Sequence, residues 1–262
     1  MPKMNDIEQM SLDEYLFSSN YETKDNLSGK YAMANDFLRL PKEMDVQSLK
    51  VLGLILSKLD FKSDNRNEFG VVEVRCTLNE IVKSCNGTTN NYTYYRDVIK
   101  NLIKSSYVEG TIDGVDIMGY TIPRVKGYEN TTFEFTIFSD FLPYFQLLHE
   151  RYTIIELEYT KQFKSRFSYI LYMNLLSWCD SKDTEYYHFY TTKQLKDMFG
   201  LEKTDYVDKY GKFKRTLFEK YTIIKAVEEI HQHTTMRIEF KKNYNGSKVA
   251  NYQFNFLVSG DD

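Results

Sequence analysis

The sequence predicts an α+β fold in which two halves run through the same order of elements. Two capping-box motifs, Thr77 to Glu80 and Thr191 to Gln194, stand 114 residues apart. In such a box a Thr hydroxyl and the Glu or Gln side chain three residues on satisfy free backbone donors at a helix start. A glycine follows ten residues after the first box and nine after the second. Each box also lies between an apolar stripe at helical spacing and a second, longer one that gives way to alternating strand patterns.

The elements follow in order. Residues 1–29 carry two Lys against six Asp or Glu and end at Asn26, Leu27, Ser28 and Gly29. They read as a flexible acidic tail, with a short helix around Leu12–Phe17 as the alternative. The first domain is expected over residues 30–150. Val46, Leu49, Leu52, Ile55, Leu56 and Leu59 make its first helical stripe. Val71–Val74 reads as a short strand, and the Thr77 box opens a short helix that stops at Asn86 and Gly87. A helix over Asn90–Ser105 buries Tyr95, Val98, Ile99, Leu102 and Ile103, and strands follow through Tyr107–Val115 and Phe133–Ile137. Phe138–Leu148 is too apolar for a free linker and is expected to pack between the halves.

The second domain is expected over residues 151–257, with a short tail at 258–262. Phe163, Phe167, Ile170, Leu171, Leu175 and Trp178 form its first stripe, and the helix opened by Thr191 stops at Gly200. A long helix follows, for which Phe213, Leu217, Tyr221, Ile224, Val227 and Ile230 are the expected inward residues. Met236, Ile238 and Phe240 alternate as a strand, Asn245 and Gly246 mark a hairpin turn, and Ala250, Tyr252, Phe254 and Phe256 alternate on the return. Helix, short helix, turn, longer helix, hairpin is the order of a winged helix. In that module the helix after the turn enters the DNA major groove. The fold expected is therefore two tandem winged-helix domains.

Charge directs attention to the second half. The net charge is −3, but residues 1–29 carry −4, residues 30–150 carry −2 and residues 151–262 carry +3. Between Tyr206 and Lys225 six Lys or Arg face only Asp208 and Glu219. Cations at a helix start oppose the partial positive charge of its free N–H groups, so a basic cluster there points to an anionic partner. Phosphate is the first candidate. Lys209, Lys212 and Lys214 suit phosphate, and Arg215 suits bidentate contact with guanine. Lys241, Lys242 and Lys248 flank the Asn245–Gly246 turn as a basic wing, although lysines also protect edge strands. Lys164 and Arg166 open the first helix of the second domain and are further phosphate candidates. In the first domain Thr88, Thr89, Asn90, Asn91 and Tyr92 open the helix that carries Arg96 and Lys100. Thr89, Asn91, Tyr92, Arg96 and Lys100 are its candidates for DNA. A wing expected over Thr111–Gly119 would present Asp113 and Asp116 to DNA. The first domain is therefore expected to bind DNA more weakly and to supply a dimer interface.

The second half resembles the iteron-binding plasmid replication initiators. Phe163, Lys164, Ser165, Arg166, Phe167 and Ser168, running into Leu171, Tyr172, Leu175 and Leu176, resemble the family's first helix. Leu195–Leu201 resembles its short helix and turn. Tyr210, Phe213, Lys214, Arg215, Leu217, Glu229 and Ile230 through Thr234 follow its long helix in order and spacing. The first half fits from Asn35, Asp36 and Phe37 through the Leu49–Leu59 helix, with looser motifs. His231 stands where the family usually has Asn, and Met173 and Asn174 stand in its commoner Glu region. The resemblance implies a protein that binds direct repeats at a plasmid origin, helps melt an adjacent AT-rich segment and recruits host replication proteins. It also implies a monomer–dimer switch, in which dimers bind an inverted repeat and repress the protein's own gene.

Two other readings are weighed. A winged-helix transcriptional repressor without a role in initiation shares the same DNA-binding pattern. A rolling-circle nicking enzyme would need a metal-binding His pair around an apolar residue and a nucleophilic Tyr. His231, Gln232 and His233 have the spacing but a polar centre, and Tyr206 and Tyr210 are a pair expected by chance among 22 Tyr. His149 and His188 stand alone, and the chain has no phosphate-cradling GxxxxGK[ST] loop. No catalytic residue, metal or cofactor is expected. Cys76, Cys85 and Cys179 are odd in number without CxxC spacing, which argues against a disulfide scaffold or a zinc site. The N-terminus lacks a signal peptide's basic start and apolar centre, and no apolar run approaches the roughly 20 residues of a membrane helix. A cytoplasmic protein without membrane contact is expected.

Overall fold

The computed structural model describes residues 29–40, 43–68, 70–88, 91–129, 131–180 and 183–259. The expected acidic tail, apart from Gly29, and its helical alternative at 12–17 lie outside the described residues, as do residues 260–262.

Each half forms a winged helix. In the first, helix α2 (Val46–Ser57) precedes strand β2 (Val72–Thr77), helix α3 (Leu78–Ser84) and helix α4 (Tyr92–Ser105). In the second, after the short helix α5 (Leu157–Thr160), helix α6 (Arg166–Leu176) precedes strand β8 (Tyr186–Tyr190) and helix α7 (Thr192–Met198). A helix in three windings follows: α8 (Arg215–Phe218), a π turn (Glu219–Ile224) and α9 (Lys225–His233), continuous because every joint residue is αR. Strands β9 (Met236–Asn245) and β10 (Lys248–Val258) close the half as a long hairpin.

The two short helices begin in the same way. Thr77 Oγ1 accepts from the Glu80 N–H at 3.2 Å, and Glu80 accepts from the Thr77 N–H at 2.7 Å. Thr191 and Gln194 repeat this at 3.2 and 2.8 Å. Both helices also end alike. Gly87 N–H donates to Val82 C=O and Leu201 N–H to Lys196 C=O, each closing a left-handed C-terminal turn. The residue that takes the left-handed conformation differs: Gly200 has φ 57° in the second, but Asn86 has φ 55° in the first. Gly87 is required for another reason, because a Cβ there would lie 2.0 Å from the Tyr95 hydroxyl.

The first domain's wing is not where the sequence placed it. Strands β3 (Tyr107–Ile112) and β4 (Val115–Tyr120), joined by Asp113 and Gly114, pair only with each other among the described residues. The hairpin that joins β2 is β5 (Arg124–Tyr128) with β6 (Thr132–Ile137), in strand order β2-β6-β5. That matches β8-β10-β9 of the second domain, where the first strand also pairs with the last. The acidic 111–119 hairpin is thus an insertion before the wing. Asp113 and Asp116 therefore do not stand at the wing position and do not repel DNA from it. The true wing was missed because β5 is only five residues long and contains Gly127.

The halves are joined by main chain as well as by packing. Strand β1 (Lys30–Ala34) pairs antiparallel with β7 (Tyr152–Glu156), which bridges the expected boundary near residue 150. Arg39, just beyond helix α1 (Asn35–Leu38), donates to Ser177 O at 2.8 Å and lies 3.6 Å over the Trp178 ring. The buried Tyr31 and Tyr169 hydroxyls meet at 3.0 Å, and Tyr169 donates to Leu49 O. Apolar side chains of both halves form one continuous core. Within Phe138–Leu148, the 3-10 helix (Ser139–Tyr144) packs Phe141 on Phe37 and Phe145 follows on the same ring, both contacts within the first half, while Leu148 joins Ala32 and Phe61 in a small cluster against which Tyr152 of the second half packs.

Candidate nucleic-acid interface

In the second domain the basic cluster begins in a loop, not in the helix. Asp208 builds that loop. Its carboxylate accepts from the N–H groups of Tyr210 and Lys212 at 3.0 and 2.9 Å and pairs with Lys214 Nζ at 2.8 Å. Gly211, at φ 80°, completes the turn, and Val207 bridges to Phe213. The Lys214 contact, with the two backbone donors, holds the Asp208 carboxyl below its ordinary pKa. Lys209, Tyr210 and Lys212 project from this turn, with Tyr210 82% exposed. The helix itself starts at Arg215, so only Lys214 and Arg215 meet its N-terminal dipole.

Arg215 turns partly inward. One guanidinium nitrogen lies 3.3 Å from the Tyr252 hydroxyl and 3.5 Å from Thr192 Oγ1. Tyr252 in turn donates to the buried Glu219 at 2.8 Å, and Lys242 pairs with the other Glu219 oxygen at 3.1 Å. This chain of contacts fixes the wing against the helix. Burial and the adjacent Glu219 push the Tyr252 hydroxyl up to about 12, so it stays a protonated donor. Lys242 therefore faces the helix, while its neighbour Lys241 and Lys248 are exposed along the hairpin.

The long helix buries Phe218, Thr222, Ile223, Ala226, Val227 and Ile230. Leu217, Tyr221 and Ile224, expected inside, are exposed instead. They form a second apolar stripe that runs beside the buried one, and spacing alone does not say which stripe faces the core. Lys220 and Lys225 flank them. The exposed apolar stripe was not anticipated from the sequence, whereas Lys220 and Lys225 belong to the basic cluster read there between Tyr206 and Lys225.

Arg166 serves the fold, whereas Lys164 does so only through its backbone and keeps its side chain exposed. Glu229 of the long helix accepts from the N–H groups of Lys164 and Ser165 at 2.6 and 3.2 Å, capping α6 from outside. The Arg166 guanidinium donates to Phe199 O at 2.9 Å and Gly200 O at 3.3 Å, covering the carbonyl end of the short helix. His231 is also structural, because its Nε2 accepts the Ile238 N–H at 2.8 Å. Among the described residues no group of His, Cys, Asp or Glu is arranged to hold a metal ion, and no helix is long and apolar enough to cross a membrane.

In the first domain Asn91 caps α4 by accepting the Tyr94 N–H at 3.1 Å, and Tyr92 stacks on Phe133. Arg96 is exposed, and Lys100 pairs with Asp97 at 2.9 Å. Thr89 lies outside the described residues. The wing adds cations that were not anticipated. Arg124 pairs with Glu73 at 2.8 Å, and Lys126 and Arg75 reach the buried Glu134 at 2.9 and 2.8 Å. Burial alone would raise the Glu134 carboxyl, but the hydrogen bonds from Lys126 and Arg75 outweigh it and hold it below its ordinary pKa.

Comparison with known proteins agrees with this architecture. Residues 30–176 match the family model "Initiator Replication protein, WH1" and residues 191–256 match "Initiator Rep protein, WH2". The Pi initiator protein, solved in complex with iteron DNA, superposes with a TM-score of 0.71 at 17% identity, over 90% of this chain and 100% of that one. Domains 2 and 3 of RctB give a TM-score of 0.41 at 12% identity, over 82% of this chain and 83% of theirs. The sequence matches none of the curated proteins. With these two models together matching residues 30–176 and 191–256, the chain belongs to the initiator replication protein family.

Proposed function

We propose that this protein is a sequence-specific, non-enzymatic initiator of plasmid replication that binds direct repeats at its origin through the second winged helix. The observation that carries the reading is the placement of the Lys209–Lys214 loop. It lies in the chain between the capped short helix and the long helix, whose first residues are tied to the Lys241–Lys248 hairpin through Arg215 with Tyr252 and Glu219 with Lys242, and there a groove-bound helix needs cations for phosphate. The fold shared with the Pi initiator, itself solved on iteron DNA, supports the same reading. Lys209, Lys212, Lys214, Lys241 and Lys248 meet phosphate in this account, and Arg96 with the first wing adds weaker contacts. The domains are taken as residues 30–150 and 151–257. Opening of an adjacent AT-rich segment, recruitment of host replication proteins and repression of its own gene as a dimer complete the proposed role in the cytoplasm. The exposed Val115 and Met118 of the inserted hairpin favour the first domain as the self-association face.

The test is origin dependence. A plasmid carrying the direct repeats beside the gene should be maintained only when the protein is supplied. Maintenance without it, together with promoter repression by it, would make the protein a repressor alone. A covalent 5′ adduct on supercoiled origin DNA with Mg²⁺ or Mn²⁺ would make it a nicking enzyme.

A further inference from the structure

The long helix of the second domain turns an apolar stripe away from the core. Leu217, Tyr221 and Ile224 are 45%, 42% and 39% exposed, while Phe218, Thr222 and Ile223 beside them are buried. The stripe lies among cations. Lys220 and Lys225 sit 5.5 and 4.8 Å from the Tyr221 ring centroid, and the Lys209–Lys214 loop leads into its N-terminal end. An apolar protein partner would have to desolvate those ammonium groups, whereas a groove walled by phosphate would neutralise them. Arg215, the residue best suited to guanine, is already engaged with Tyr252 and Thr192.

We propose that Leu217, Tyr221 and Ile224 read thymine methyl groups in the major groove, so that the base-specific contact of this helix is apolar. The proposal rests on the DNA-binding reading above and adds the class of base edge recognised. Hydrogen-bonding groups otherwise dominate the major-groove edge, and the 5-methyl of thymine is what an aliphatic side chain contacts there. From Leu217 to Ile224 the helix advances at most about 10 Å, because the π turn rises less than the 1.5 Å per residue of an α-helix, which is at most roughly three base-pair steps of 3.4 Å. A run of adjacent T·A pairs fits that length. Lys220 and Lys225, on either side of Tyr221, then reach the phosphates bordering the same steps.

The experiment replaces thymine with deoxyuridine, which removes the methyl and keeps the pairing. Binding is measured by fluorescence anisotropy on a duplex of the origin's direct repeats, on its uridine counterpart, and on a scrambled pair as baseline. The exchange should weaken binding to the repeats about 10-fold, equivalent to about 1.4 kcal/mol, and leave the scrambled pair unchanged. In the surface double variant Leu217→Ala, Ile224→Ala the uridine penalty should shrink to the part that Tyr221 supplies. Equal affinity for thymine and uridine repeats, with preference over the scrambled duplex intact, would overturn the methyl reading alone. An undiminished penalty in the double variant would likewise remove it from this stripe. Absence of any preference for the repeats would overturn the DNA-recognition reading and this one together.

Discussion

The two winged helices share a backbone plan but treat their positive charge differently. In the first, Arg75, Arg124 and Lys126 are paired with Glu73 and Glu134, and Lys100 with Asp97. In the second, Lys214 and Lys242 are paired, but Lys209, Lys212, Lys220, Lys225, Lys241 and Lys248 have no ion pair among the described residues. A cation already matched by a carboxylate gives less when it meets phosphate, because the existing pair must be loosened first. One fold can therefore serve as a weak or a strong polyanion surface according to where carboxylates stand.

The largest effects test whether the halves are one body. Leu102→Ala in the first and Ile223→Ala in the second each remove a fully buried side chain and should cost about 2–5 kcal/mol. With one continuous core, denaturant should unfold either variant in a single transition. Two separate transitions would break the comparison at its base. Next in size is the charge itself. Changing Lys209, Lys212 and Lys214 together to Ala should weaken duplex binding about 100-fold near physiological salt, since each phosphate contact adds about 0.9 to the salt slope. The matching change of Arg96, Arg124 and Lys126 should cost less than about 10-fold, read in the same mobility-shift assay.

Much of this was legible in the sequence, because capping boxes and turn residues act locally. The Thr77 and Thr191 boxes, the helix stop at Gly200 and the Asn245–Gly246 hairpin all depend on neighbours within a few residues. What failed depended on distance. The choice of wing in the first domain is set by which strand β2 accepts as a partner, and two hairpins compete for it between residues 107 and 137. The facing of the long helix is set by packing against α6, and Ile223 and Ile224 offer it equivalent side chains. Lys209, Lys212 and Lys214 were visible as a cluster, but their loop geometry comes from Asp208 and Gly211. The inward turn of Arg215 depends on Tyr252, 37 residues away. The glutamates that pair the first domain's cations lie on other strands, so the contrast between the halves was reached for a reason the structure replaces.

Smaller effects sharpen the comparison further. Glu219→Ala should leave Lys242 and Tyr252 without their acceptor and cost about 1–3 kcal/mol in thermal or denaturant unfolding. Thr77→Ala and Thr191→Ala remove the same contact from the same motif and should each cost about 1 kcal/mol. Unequal values would show that the repeat is less exact in energy than in geometry. The smallest effect appears only in acid. Because the folded Glu134 carboxyl is held below its ordinary pKa, its contribution is complete above the usual glutamate range near pH 4.3 and is lost as pH falls through the folded value. Glu134→Gln should therefore flatten the acid limb of the unfolding curve.

The contrast in charge is tested most directly by the salt dependence of binding to the origin repeats, measured for the parent protein and the two triple variants. The slope of log affinity against log salt should fall by about 2–3 when Lys209, Lys212 and Lys214 are removed. It should fall by less than about 1 when Arg96, Arg124 and Lys126 are removed. Equal losses of slope in the two variants would contradict the account, because both winged helices would then hold phosphate alike.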